Sequence, residues 1–217
     1  MTEQKKRVLI VDDHPLFRDR LCQLINHELD MEVCGEAEDA QQAIQLIRNE
    51  SPDLAIVDIT LKGSSGLELI KSIKALPIGV PVLVLSMHDE SLYAERALRA
   101  GATGYITKHE AADQVLLAIR RVLAGQVYLS ETMTSVFLRS LTTGVNSMPR
   151  PLDRLTDREL EVLDLIGRGH TTREIADRLQ LGVATVDTYR ARIKEKMNFR
   201  NATELQHFAT RWVRERE

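Results

Sequence analysis

The sequence predicts two modules of different class. The first is an α/β doubly wound domain on a five-stranded parallel sheet, and the second an all-α four-helix domain of helix-turn-helix form. Three observations predict this. Short apolar runs alternate five times with helix-periodic segments over residues 1–125. They are continuously apolar, as in strands covered on both faces. Beyond residue 152 such runs stop and helix-capping patterns recur. Charge is also divided: residues 1–125 carry 14 Lys/Arg and 19 Asp/Glu, and the remainder 15 and 13. That asymmetry predicts modules with different partners.

The 217 residues are 43% apolar and 28% charged, with a net charge of −3, an ordinary foldable balance. Cys22 and Cys34 lie in apolar surroundings, and the opening MTEQKKR is polar and runs straight into the first strand. A reducing, cytoplasmic location without a disulfide is expected. No apolar run approaches the ~20 residues of a membrane span.

Val8 to Val11 (VLIV) is the first strand. Leu16 to Leu29 is helix-periodic, with Leu21, Leu24, Ile25 and Leu29 on one face. MEVCGEA (31–37) is a strand, and Asp39 is placed to cap a helix reaching about Asn49. LAIV (54–57) precedes a helix from Gly66 to Leu76, VLVL (82–85) one from Ser91 to Arg99, and GYIT (104–107) one from Ala111 to Leu123. Residues 126–151 form a connecting segment with one helix, about Glu131 to Leu141, capped by Ser130. TTGVNSMPRP (142–151) reads as a linker, with a boundary near 145–151.

Ligands bind beyond the carboxyl ends of the strands in doubly wound sheets. Asp12 and Asp13 follow the first strand, Asp58 the third, Ser86 the fourth and Lys108 the fifth. All five gather at one sheet edge. No GxGxxG or GxxxxGK[ST] follows the first strand, so no loop cradles a nucleotide. Carboxylates at 4 Å repel by ~4 kcal/mol per pair at an effective dielectric near 20. A hard divalent cation relieves this, and Mg²⁺ suits carboxylates near phosphate.

VLIVDDH, VDITLKGSSGLELI, VLVLS and AGATGYITK together resemble the receiver domain of two-component response regulators, over residues 7–124. The resemblance implies a flavodoxin-like sheet and phosphorylation of Asp58 by a histidine kinase. It implies Asp13 as a direct ligand of Mg²⁺ (or Mn²⁺), Asp12 as the assisting acid, Asp58 as a shared ligand and Thr60 as donor of a backbone carbonyl. Ser86 and Lys108 would meet the phosphoryl oxygens, and Tyr105 would turn inward on phosphorylation. Lys62 and His109 stand where many receivers have proline. These departures bear on loop geometry and on the lifetime of the phosphorylated state.

The C-terminal residues 152–217 read as four helices. Thr156 with Glu159 and Thr171 with Glu174 form capping boxes before the first two. Gly167 and Gly169 mark the first helix's end, Gly182 starts the third, Asn198 suits a left-handed terminus and Asn201 with Glu204 caps the fourth. On the third helix Val186, Ile193 and Met197 share an inward face with Tyr189 beside them. Ala184, Thr188, Ala191, Arg192 and Glu195 lie opposite, with Asp187 at that face's edge. Five basic residues against one acidic from Arg190 to Arg200 suit a helix lying in a major groove.

LTDRELEVL, EIADRL and TVDTYR, within residues 152–214, resemble the LuxR-type DNA-binding domain. By that resemblance Asp187, Thr188 and Ala191 face bases, while Arg190, Arg192, Lys194 and Lys196 serve the DNA backbone. Gly182 replaces a common serine cap, and Asp187 replaces a common lysine. An aspartate accepts from cytosine N4, so specificity rather than binding is altered. The pairing of modules resembles response regulators of the NarL/FixJ type. It implies a non-enzymatic transcription factor that becomes a homodimer on phosphorylation, with a sensor kinase and promoter DNA as partners and no membrane. A phosphohydrolase acting on small molecules would need a substrate pocket or lid, and the strand-end loops are short.

Overall fold

A computed structural model describes residues 5–142 and 151–215. It divides into two compact units, residues 1–139 and 140–217. In the first unit, β1 (Lys6–Val11) leads to α1 (Pro15–Asn26), β2 (Met31–Ala37), α2 (Ala40–Glu50) and β3 (Leu54–Val57). A short ladder of β4 (Thr60–Leu61) and β5 (Ser64–Ser65) precedes α3 (Gly66–Lys74). Then come β6 (Val82–Ser86), α4 (Glu90–Ala100), β7 (Gly104–Thr107) and α5 (Ala112–Leu123), and α6 (Glu131–Thr142) begins in this unit. Five strands pair in parallel in the order β2-β1-β3-β6-β7, the doubly wound sheet expected.

The order reverses direction between β1 and β3, which opens a crevice at their carboxyl ends. Every residue of β3 and the last four of β1 are buried, which explains their unbroken apolar sequence. On one side of the sheet Val8, Ile10, Leu54, Ile56, Leu83 and Leu85 pack with Leu21 and Ile25 of α1 and Val115, Ile119 and Val122 of α5. α3 lies beside α2 and α4.

Two features depart from the sequence reading. α1 ends at Asn26, and Leu29, expected on its buried face, is 91% exposed. The Glu28 N–H closes onto the Ile25 carbonyl in a turn, which carries the chain off the helix toward β2. The two-residue β4 and β5 were not foreseen; they are too short to show a period. Beyond α5, Tyr128 pairs alongside Gly104 of β7, and the Tyr105 N–H donates to the Tyr128 carbonyl (2.9 Å). The linker expected at 142–151 lies largely outside the described residues.

The second unit holds a 3₁₀ turn (Pro151–Arg154), α7 (Asp157–Gly167), α8 (Thr172–Leu179), α9 (Val183–Lys196) and α10 (Ala202–Arg214). Both capping boxes form as the sequence predicts. Asn201 accepts from the Glu204 N–H, and Asn198 is left-handed at φ 57°. Gly167 marks the end of α7 as expected and has a second role. It is the last residue of α7, and a Cβ there would stand 2.5 Å from the Ala209 carbonyl oxygen and 2.4 Å from Val213 Cγ2. Its missing side chain lets α7 and α10 pack closely. Gln180, at φ 51°, turns the chain between α8 and α9.

Candidate acidic site and candidate nucleic-acid interface

The strand-end residues of the first unit converge. Asp12 leaves β1 and Asp58 leaves β3 side by side, held by an N–H of Asp58 donating to the Val11 carbonyl (2.9 Å). Both are only 3% exposed. Lys108, past β7, reaches between them: its Nζ lies 2.5 Å from Asp12 Oδ2 and 2.6 Å from Asp58 Oδ2. The Phe17 ring of α1 stands 4.4 Å from the same ammonium, so aromatic and carboxylate groups enclose it together. The Lys108 N–H donates to the Ser86 carbonyl, which joins the ends of β6 and β7. Gly66 lets α3 approach closely, since a Cβ there would stand 1.9 Å from the Asp58 carbonyl oxygen.

Ser86 is fully buried, and its Oγ accepts from the His88 N–H (3.3 Å). His88 bonds Thr60 Oγ1 through Nε2 (2.8 Å) and packs on the Tyr93 ring. The Thr60 N–H donates weakly to Asp58 Oδ1 (3.4 Å). Tyr105 is fully buried, with its hydroxyl donating to the His88 carbonyl (2.8 Å). The ring of Tyr105 thus lies on the inside of the fold.

Charge shapes this site. Burial pushes the Asp12 carboxyl up, and the Asp58 carboxylate adds to that, against Lys108. Burial raises Asp13 too, with His14 opposing and Asp58 and Asp12 adding. Burial alone would lower Lys108, yet the Asp58 and Asp12 carboxylates hold it above its usual value. Burial, then the Asp58 charge, pushes the Tyr105 phenol well up, so it remains a donor. Three carboxylates face one ammonium, which leaves an excess of negative charge suited to a divalent cation. Ligand atoms of Asp12, Asp13, His14 and Asp58 lie within 4.8 Å of one another. Asp13 Oδ1 is buried and accepts no hydrogen bond. These residues fit a bound cation.

On α9, Val186 and Ile193 are fully buried and Tyr189 and Met197 half-buried, as their spacing predicts. Ala184, Asp187, Thr188, Ala191, Arg192 and Glu195 are exposed. The Thr188 hydroxyl donates to the Ala184 carbonyl of its own helix (2.9 Å). Arg190 and Lys194 are half-buried, and no salt bridge holds them or Arg192 among the described residues. Lys196 differs: its Nζ pairs with Glu159 Oε2 of α7 at 2.6 Å.

A model of the response regulator receiver domain matches residues 8–120, and one of the LuxR family of bacterial regulatory proteins matches residues 153–209. The chain belongs to the LuxR-type response regulators. The oxygen regulatory protein NreC of Staphylococcus epidermidis is 33% identical over 94% of this response regulator and 96% of NreC. A LuxR-family two-component response regulator from Aurantimonas sp. SI85-9A1 is 32% identical, with a TM-score of 0.59 over 64% of this chain and 99% of that one. RcsB of Salmonella enterica serovar Typhimurium, solved bound to promoter rprA, shares the fold at 23% identity and a TM-score of 0.61, over 95% and 99% of the two chains. This response regulator is thus a DNA-binding transcription regulator of the NarL/FixJ type and not an enzyme.

The response regulator brings Asp12, Asp13, Asp58 and Lys108 into one cluster, with Ser86, Thr60 and Tyr105 joined to it through His88. Three contributors escaped sequence reasoning: His14, Phe17 and His88. His14 adjoins the acidic pair and His88 stands two residues after Ser86; adjacency was the available signal for both. No helix among the described residues is long and apolar enough to cross a membrane.

Proposed function

We propose that Asp58 accepts a phosphoryl group from a cognate sensor histidine kinase, and that this modification controls promoter binding through α9. The observation that carries the reading is Lys108, buried and bridging Asp12 and Asp58 at the crevice of the sheet. An oxygen of Asp58 attacks phosphorus, the bond from phosphorus to the kinase imidazole nitrogen breaks, and the imidazole leaves. Asp12, Asp13, Asp58 and the Thr60 backbone carbonyl would hold Mg²⁺ (or Mn²⁺), which supplies charge neutralisation for phosphoryl transfer. Lys108 gives up one carboxylate to pair with a phosphoryl oxygen. Ser86 gives its hydroxyl to another, with its amide neighbour His88 drawn along.

The new group carries roughly −1.5 to −2 charges. Its pull on Ser86 and Lys108 moves the ends of β6 and β7 relative to one another, and with them Tyr105. That change biases two pre-existing states of the chain toward a homodimer. Residues 1–125 act as the receiver, 126–151 as a connection bearing one helix, and 152–217 as the DNA-binding domain, in a bacterial cytoplasm. On α9, Asp187, Thr188 and Ala191 meet bases, and Arg190, Arg192 and Lys194 meet phosphates. Lys196 would have to leave Glu159 to do so.

Full-length protein incubated with acetyl phosphate and Mg²⁺ tests the reading by intact mass. One phosphoryl adduct is expected, absent in Asp58→Asn. An adduct that persists unchanged in that variant places the modification elsewhere.

A further inference from the structure

A fourth side chain stands at the rim of the acidic cluster. His14 follows Asp12 and Asp13 directly, and Pro15 restricts it to the extended backbone it adopts (φ −93°, ψ 101°). Its N–H donates to Asp12 Oδ1 (2.9 Å). Its ring Nδ1 stands 2.8 Å from Asp13 Oδ1 and 3.4 Å from Asp12 Oδ1. Building on the reading of this cluster as a divalent-cation site, we propose that His14 is a further ligand there, and that it directs the site toward borderline transition-metal ions such as Co²⁺, Ni²⁺ and Zn²⁺ over Mg²⁺.

The alternative is an ordinary hydrogen bond from His14 to Asp13. Yet the buried Asp13 Oδ1 accepts no hydrogen bond despite the 2.8 Å approach, so the two groups are close but misaligned. Two donor atoms 2.8 Å apart are close enough to share one ion. Adjacent ligands of an octahedral ion with bonds of 2.0–2.1 Å lie ~3 Å apart, which is the separation found here. The donor set then decides the ion. Three carboxylates attract any divalent cation and discriminate little by charge. The imidazole is the one nitrogen among the Asp12, Asp13, His14 and Asp58 donors. Mg²⁺ keeps oxygen and water ligands, whereas imidazole favours later first-row metals. His14 is therefore the residue on which selectivity turns. Its ring, with a side chain 62% exposed, is removable without opening a core.

The test uses metal-free, full-length protein titrated separately with MgCl₂, MnCl₂ and NiCl₂. Calorimetry gives the affinities, and amide spectra locate the site through broadening by the paramagnetic ions at residues 12–14 and 58–60. Wild type is compared with His14→Ala and Asp13→Asn. Loss of an imidazole ligand costs at least as much as loss of a supporting partner, roughly tenfold. The ratio of Ni²⁺ to Mg²⁺ affinity is therefore expected to fall about tenfold or more in His14→Ala, whereas Asp13→Asn weakens all three ions. A ratio unchanged in His14→Ala, with binding still localised to the cluster, overturns the role of His14 alone. Wild-type protein that shows no localised binding of any of the three ions overturns the cation site itself and the proposal with it.

Discussion

Lys108 governs the charge balance of the first unit at the scale of a single residue. Its ammonium lies 2.5 and 2.6 Å from two carboxylates, and without it those carboxylates face each other unshielded. Its raised pKa means that its contribution to stability is full at neutral pH, and is lost only as pH climbs through the folded value, above 10.5. Lys108→Ala removes one partner of a buried ion pair, a change that costs about 3 kcal/mol. Mg²⁺ is expected to stabilise this variant in urea titrations more than it stabilises wild type, because more negative charge awaits it. Equal stabilisation of the two would separate the cation from the lysine's carboxylates. Asp13→Ala acts in the opposite sense: it relieves repulsion, so folding survives, but Mg²⁺-dependent phosphorylation by acetyl phosphate is expected to vanish. A normal rate in the presence of a chelator would refute that. Asp12, Asp13, Asp58, Ser86 and Lys108 were legible in sequence because each directly follows an apolar strand run. Phe17 was not, because a position on α1 says nothing of whether its ring lies over a lysine that follows the last strand of the sheet.

Among the elements, α7 and α9 are joined by one group that serves twice. Glu159 closes the capping box of α7 through the Thr156 N–H, and its Oε2 also accepts from Lys196 of α9 (2.6 Å). Burial works against its ionised form, but the Lys196 ammonium and the Thr156 N–H outweigh that and hold the carboxyl below its ordinary 4.5. A depressed carboxyl stabilises above its unfolded pKa, and that stability is lost as pH falls through the folded value. Glu159→Gln keeps the box geometry and loses the charge, at a cost of about 1.5–3 kcal/mol near pH 7. The difference between variant and wild type is expected to begin closing as pH drops below about 4.5, the ordinary value, and to vanish below the folded one. The single tryptophan, Trp212 on α10, reports unfolding of this unit by fluorescence. A gap that stays constant down to pH 3 would deny the carboxylate its role. The box itself was legible as Thr-Asp-Arg-Glu; the tie to Lys196 was not, since it joins residues far apart in sequence and depends on how α9 packs on α7. The runs VLIV, LAIV and VLVL were legible because burial on both faces leaves no polar position within them, whereas β2, at an edge, carries exposed Glu32 and Glu36. The end of α1 was not, because a tertiary turn outweighs the period that Leu29 continues.

For the molecule as a whole, reading and switching are divided between two units that share one chain. Phosphorylated full-length protein is expected to bind DNA more tightly than unphosphorylated protein, because a dimer spans two half-sites about one helical turn apart. Lys194→Ala should weaken binding to all sequences alike and reduce the salt slope by about one. Asp187→Ala should cost little affinity and relax preference at one base pair, since phosphate contacts carry no sequence information. A randomised site library at two salt concentrations separates them. Unchanged preference in Asp187→Ala removes that residue from base readout, and unchanged binding in both variants removes α9 from the interface.

The pairing of Tyr128 beside Gly104 has a consequence for solubility. β7 ends the order of the sheet, and a bare terminal strand offers its N–H and C=O groups as a template for another chain. Here the Tyr105 N–H donates to the Tyr128 carbonyl, and the Tyr128 N–H donates to the Thr103 carbonyl. The chain thus blunts its own edge with the segment that leaves α5. A protein cut after residue 125 would lose that cover and acquire a sticky rim, prone to strand-to-strand aggregation at high concentration, while one cut a few residues beyond Tyr128 would keep it.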